Sequence, residues 1–177
     1  VNTSPLAYQF NNIDTFRTWG LSITNTTSYN NLQFSAGLSF SGESKTLESQ
    51  IDFNDDFLYS LQLNSNISYS IPKWNAVFSA YYKYTGKQYQ FQQIQNDDGD
   101  VVFFRGEQDQ YSWLDATIKK SFFDKTFQVT LGARNLLNVT RVNTISAGGA
   151  VHSAQSSNIL LGYGRSYFLK LLYNLNF

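Results

Sequence analysis

Cysteine is absent, which excludes disulfides, thiolate metal sites and cysteine nucleophiles together. Methionine is absent too, and no segment has the charged-then-apolar build of a signal peptide, so the sequence is expected to be a processed protein or a piece of a longer one. Charge is scarce: 15% of the 177 residues are charged, against ~25% in an average globular chain. The 13 basic and 13 acidic side chains cancel, leaving no electrostatic footprint for nucleic acid. No apolar run approaches the ~18 residues that a spanning helix needs. What fills the space is neutral. Ser, Thr, Asn and Gln supply 63 residues, and the 17% aromatic and 42% hydrophobic fractions are too high for a disordered chain.

The hydrophobic period is two almost throughout, which predicts strands and no long amphipathic helix. From Phe57 to Ile71 the odd positions read Phe57, Tyr59, Leu61, Leu63, Ser65, Ile67, Tyr69 and Ile71. The even positions are small or neutral-polar apart from Leu58. Tyr167 to Phe177 repeats the alternation, as do shorter stretches elsewhere. Seven strands are predicted, at about 16–29, 31–42, 57–71, 75–88, 111–122, 127–138 and 163–177. Their connections alternate short and long. Tyr29-Asn30-Asn31, Pro72-Lys73-Trp74 and Phe123-Asp124-Lys125-Thr126 are short, whereas Ser41 to Asp56, Tyr89 to Gln110 and Val139 to Gly162 are long. That sorting puts the tight turns at one end of the sheet and the loops at the other, as in outer-membrane barrels.

Three features favour a membrane barrel over a soluble β-sandwich binding module, the third-ranked alternative. The polar stripe is uncharged where a soluble sheet carries Lys and Glu. The strands are longer than the ~5–6 residues usual in soluble domains. Aromatics, among them Tyr69, Trp74, Tyr111, Trp113, Phe122 and Phe127, mark strand ends. The expected fold is therefore all-β, an antiparallel transmembrane β-barrel segment of about seven to eight strands in the bacterial outer membrane. Complete bacterial barrels have even strand numbers. Seven strands then imply either an eighth at Ser4 to Phe10, giving a free-standing eight-stranded barrel with a structural or adhesive role, or the C-terminal part of a larger barrel. The missing Met favours the second.

Three segments carry a family resemblance: Tyr111-Ser112-Trp113-Leu114-Asp115-Ala116, then Gly132-Ala133-Arg134-Asn135-Leu136-Leu137-Asn138, and after a long loop Gly162-Tyr163-Gly164-Arg165-Ser166-Tyr167. In order and spacing they resemble the C-terminal end of TonB-dependent outer-membrane receptors, in a style similar to those of the Bacteroidetes group. Leu137 stands where that family usually has Phe. The specific resemblance covers about 109–177; residues 1–108 match in strand and loop rhythm only. It implies a barrel of about 22 strands, plugged by an N-terminal domain. Such a receptor imports a scarce nutrient (siderophore-iron, haem, cobalamin or similar) with energy relayed by the TonB-ExbB-ExbD system. Residues 1–177 would form one unit, about the last seven strands, with no plug domain. The final strand also resembles the signal read by the barrel-assembly machinery, through Lys170, Leu175 and Phe177, with Leu172 where Gly is commonest.

Catalysis is not expected. The one histidine, His152, sits in a Gly/Ala/Ser-rich loop without a visible oriented partner. Asp97, Asp98 and Asp100 could offer oxygen ligands, but the run lacks the register of a Ca²⁺ loop and reads as a solvated turn. No metal or other cofactor is expected. Tyr89, Gln90, Phe91 and Gln92 combine amides with aromatic faces, which suits a polar organic ligand outside the cell. The plainer reading is an extended hairpin with Val101 to Phe104 as its return arm. Tyr81, Lys83, Asp115, Thr117, Lys119, Arg134 and Lys170 fall opposite the apolar stripe. A charge at the bilayer midplane costs ~2–4 kcal/mol, so these residues are expected to face the lumen and meet one another or the plug. The expected partners are thus outer-membrane lipid, the rest of the barrel with its plug, the energy-coupling system and the assembly machinery.

Overall fold

A computed structural model describes residues 15–46, 57–95, 101–147 and 154–175. The described residues form eleven strands and one turn of 3-10 helix. In chain order the strands are β1 (Thr15–Tyr29), β2 (Leu32–Thr46), β3 (Leu58–Ile71), β4 (Ala76–Thr85), β5 (Gln88–Gln95) and β6 (Val101–Gln108). They continue with β7 (Tyr111–Phe122), β8 (Phe127–Arg134), β9 (Arg141–Ala147), β10 (Ala154–Leu160) and β11 (Ser166–Tyr173). All pairings are antiparallel. One sheet has seven strands in the order β1-β2-β3-β4-β7-β8-β11, and a second has four in the order β10-β9-β6-β5.

The seven-stranded sheet is a meander of the seven strands that alternation predicts, with four changes at their ends. The strand predicted at 31–42 runs on to Thr46, which pairs with Thr15. The strand predicted at 75–88 stops at Thr85, where the chain closes in on the backbone of β3. Gly86 donates its N–H to the Leu61 carbonyl at 2.7 Å. A Cβ on Gly86 would lie 2.7 Å from that same oxygen, so only glycine fits. The strand predicted at 127–138 ends at Arg134, because Asn135 and Asn138 take left-handed φ values of 53° and 59°. The one predicted at 163–177 is ordered as strand from Ser166 to Tyr173. The hairpin expected around Gln88–Phe104 is present as β5 and β6, with a return arm extending to Gln108. Val139 to Gly162, expected as a loop, instead carries a second hairpin, β9–β10. Glu107 and Gln108 pair with Ile145 and Thr144, joining the two hairpins into the smaller sheet. The candidate eighth strand, Ser4 to Phe10, lies outside the described residues.

Each short turn has its own device. Asn30, at φ 50°, supplies the left-handed residue of the two-residue β1–β2 hairpin. Pro72 opens the single 3-10 turn before β4, and Asn75 closes it in the left-handed region. The β7–β8 turn is more strained, since Phe123, Asp124 and Lys125 all have positive φ (50°, 49° and 73°). It is closed by the Thr126 N–H donating to the Phe123 carbonyl at 2.9 Å. Asn174 clamps it from β11's side, its side-chain amide donating to the Lys125 carbonyl and its backbone N–H to that of Thr126.

Pairing also fixes a stagger. The first hairpin ends at Tyr29–Leu32, and Leu32 stands opposite Tyr69. The second runs two residues further, to Ile71–Ala76, and Ala76 stands opposite Lys120. The third again runs two residues further, to Phe122–Phe127. Two residues over two strands, at ~3.3 Å per residue and ~4.8 Å between strands, is a lean of about 35° relative to the line through the turn tips. Outer-membrane barrels lean by about 35–45°.

Candidate functional site

Residues paired directly across an antiparallel ladder share a face. One face of the seven-stranded sheet therefore carries Trp19, Leu21 and Ile23 of β1, Phe34, Leu38 and Phe40 of β2, and Leu61, Leu63 and Ile67 of β3. It continues through Phe78, Ile118, Leu131 and Leu169 on β4, β7, β8 and β11. These side chains are not a core. Leu21, Leu131 and Leu171 are 59%, 55% and 60% exposed, and the only buried hydrophobic residues among those described are Ala76 and Val142. Polar groups on this face are satisfied locally: Thr27 donates to Asn25 at 2.8 Å, and the Tyr82 hydroxyl meets Ser112 at 2.9 Å. Its two charged residues among those described, Arg17 and Lys120, stand at opposite ends.

Aromatic residues bound this face at a fixed interval. Trp19 and Tyr29 on β1, and Tyr59 and Tyr69 on β3, are ten residues apart. Trp74 with Tyr84, and Tyr163 with Tyr173, repeat the interval with one member just outside a strand. Ten residues of strand at a 35° lean rise about 27 Å, close to the ~25 Å apolar band of outer-membrane barrels. The interval is legible in the sequence, although alternation alone does not draw attention to it. At the long-loop end Trp19, Phe40 and Tyr59 form a cluster with ring centroids 5.3–6.0 Å apart.

The opposite face is a hydroxyl and amide surface. Ser22–Ser39, Thr26–Ser35 and Ser68–Ser79 bond directly across their pairs at 2.9, 3.1 and 3.3 Å. Pairing places Tyr81, Lys83, Asp115, Thr117, Lys119, Arg134 and Lys170 on this face. They do not form one cluster. Lys119 and Lys170 flank Thr130 in one row near the short turns. Tyr81 stands opposite Asp115, and Lys83 opposite Trp113, nearer the long loops. Lys83, Lys119 and Lys170 have no ion-pair partner among the described residues. Arg134 lies over the Phe168 ring, 5.3 Å from its centroid. That ring in turn covers Gly132, where an added Cβ would fall within it. Gly132→Ala is therefore expected to lower stability by about 1–3 kcal/mol through overpacking. In the double variant Gly132→Ala/Phe168→Ala, the glycine change should cost much less, as a urea-unfolding double-mutant cycle would read.

Asp115 has a different occupation. Its carboxylate accepts the Asn135 N–H at 2.8 Å, while the neighbouring Leu114 carbonyl accepts the Leu136 N–H at 2.7 Å. Asn135 is 1% exposed and folds its amide onto Val139, donating to the carbonyl at 2.8 Å and accepting from the N–H at 2.9 Å. Asn138 then accepts the Arg165 N–H at 3.2 Å. Gly164 has φ 84°, and a Cβ there would approach the Asn138 side-chain oxygen to 2.9 Å. Gly162 abuts the Trp113 ring. The three motif segments singled out in the sequence thus meet in one knot at the long-loop end of β7, β8 and β11. The knot also launches β9, since Asn135–Asn138 reverses the chain below it.

In the smaller sheet Tyr89 pairs with Glu107, and Gln90, Phe91 and Gln92 pair with Gly106, Arg105 and Phe104. Lys87 and Glu107 form an ion pair at 3.6 Å. Of the assembly-signal residues, Lys170 lies within β11, Leu175 follows its end and is 66% exposed, and Phe177 is outside the described residues. His152, Asp97, Asp98 and Asp100 are also outside them. No group of three or more His, Asp or Glu that could hold a metal occurs among the described residues. No helix among them is long and apolar enough to cross a membrane, which says nothing about strands. Comparison of the chain with protein-family models, curated proteins and solved structures finds no match.

Proposed function

We propose that the chain is the C-terminal part of the β-barrel of a TonB-dependent receptor in the bacterial outer membrane, serving uptake of a scarce nutrient such as siderophore-iron, haem or cobalamin. One observation carries the membrane part of this reading. An exposed, mainly apolar face runs across seven strands, is bounded by aromatics about 27 Å apart and leans by about 35°. A soluble protein exposing so large an apolar surface would aggregate, and a sandwich would bury it against its second sheet. Here the smaller sheet extends the long-loop end and leaves the apolar face uncovered.

The receptor part rests on the knot. The segments similar to the family's C-terminal motifs hold one another in place, which gives their order and spacing a physical role in this chain. The seven-stranded sheet is open at β1 and β11 among the described residues, which suits continuation into a larger barrel. Lys83, Lys119 and Lys170 of the polar face, without an ion-pair partner among the described residues, would then meet the plug. Accumulation of a labelled ferric siderophore, haem or cobalamin by cells making the intact protein tests the reading. Uptake of at least one should stop when the inner-membrane proton gradient is collapsed. Uptake of none, or uptake indifferent to the gradient, would overturn it.

A further inference from the structure

Lys120 is the unexplained residue of the apolar face. It lies in the row Ala76–Lys120–Val129–Leu171, among small and aliphatic neighbours, where the alternation calls for another apolar side chain. Its ammonium does not stay in that row. It reaches towards the turn tip and lies 5.3 Å from the centroid of the Phe122 ring. That places the charge level with the aromatic tips of the short turns, as expected for a lysine whose stem lies in an apolar layer and whose head seeks its polar edge.

The turn beside it is held by the Thr126 and Asn174 hydrogen bonds, yet it keeps a steric cost that asparagine or glycine would avoid. Phe123 is a bulky residue at φ 50°, a region that favours glycine or asparagine. The conformation turns its ring outward to 79% exposure, 6.5 Å from the ring of Phe122, which lies 6.0 Å from that of Phe127. Trp74 of the neighbouring turn is 65% exposed as well. The two turns are tied together by the Ser121 N–H donating to the Asn75 carbonyl at 2.8 Å. The Lys120 ammonium thus lies beside Phe122 at one edge of the apolar face, next to two turns that carry exposed Phe123 and Trp74 together with Lys73 and Lys125. Strain held at such a place points to a ligand outside the chain.

We propose that Lys120, beside Phe122 and next to the two tied turns that expose Phe123 and Trp74, docks the headgroup of an anionic phospholipid. The ammonium would pair with the phosphate, and the rings would lie along the glycerol and first acyl carbons. The inference rests on the membrane reading above and adds a lipid preference to it. Phosphatidylglycerol is the probe, titrated into the intact protein in neutral detergent, with the shift in Tm as the readout and phosphatidylcholine as the comparison. Lysine–anionic-lipid attraction of the usual strength should raise Tm by about 2–4 °C more with phosphatidylglycerol than with phosphatidylcholine. K120Q should lose that difference. F123G should hold or raise Tm in detergent alone, by relieving the left-handed phenylalanine, while reducing the lipid-induced shift. Equal shifts from the two lipids, or a K120Q protein that keeps the whole difference, would overturn the headgroup site and leave the membrane reading intact. A protein that stays folded and monodisperse without detergent, and that neither lipid shifts, would overturn both.

Discussion

Leu63→Arg is expected to destabilise the protein in a bilayer by about 2–4 kcal/mol, while Asn66→Arg, three residues along the same strand, stays within about 0.5 kcal/mol of the parent. The two positions differ in face and little else. Leu63 stands between Leu38 and Tyr84 on the apolar face, four residues from Tyr59 and six from Tyr69, in the middle of the band. A guanidinium there has no polar edge within reach of its stem. Asn66 is exposed between Ser35 and Tyr81 on the hydroxyl-lined face, where a charge keeps its water. Urea-driven unfolding from vesicles reads the contrast. A soluble sandwich that buried the apolar face would show the same order of penalties. The mutant pair therefore reads which face is kept from water, and the bilayer is marked by the folded parent protein requiring vesicles.

Asn135→Ala should be the most damaging change in the knot, at about 2–4 kcal/mol. Two effects add. The amide is the partner of both the N–H and the carbonyl of Val139, and leaving such buried groups unsatisfied costs about 1–3 kcal/mol. The left-handed φ of 53° adds a penalty of roughly 1 kcal/mol for alanine that asparagine largely escapes. Asn135→Gly separates them, because it keeps the backbone conformation and loses only the amide. Hydrogen exchange gives a local readout. The amides of Leu136 and Val139 should lose protection first, while those in the middle of β3 keep theirs. If Asn135→Ala and Asn135→Gly were equally mild, the knot would be incidental to the placement of β9 and β10.

Much of this arrangement could be read from the sequence, and the gaps have physical causes. Alternation of period two finds strands whose faces meet different surroundings, and all seven strands of the larger sheet are of that kind. β9 and β10 are not. Gln155, Ser156, Ser157 and Asn158 offer no apolar stripe to read, although β10 pairs with β9 along its length. The ends of β4 and β8 are not legible because nothing in the residue pattern marks the close approach of Gly86 to Leu61 or the left-handed turn at Asn135. The charged residues of the polar face were legible from parity. Asp115's engagement with Asn135 was not, because it depends on which carbonyls the returning chain leaves in reach. Lys120 escapes the same pattern for a related reason: parity places it on the wrong face for a charge, and only the direction of its side chain explains it. The stagger that gives the lean was invisible, since pairing register is not written in any one strand.

The most direct test of the central assignment is a nitroxide scan along β3 in lipid vesicles, from Tyr59 to Tyr69, comparing collisions with oxygen and with a water-soluble nickel chelate. Oxygen, which concentrates in the bilayer, should relax odd positions such as Leu61, Leu63 and Ile67 more strongly, and the nickel chelate should favour even positions such as Gln62, Asn64 and Asn66. The reverse phase, or access by nickel at every position, would show the apolar stripe turned away from lipid and would contradict the account.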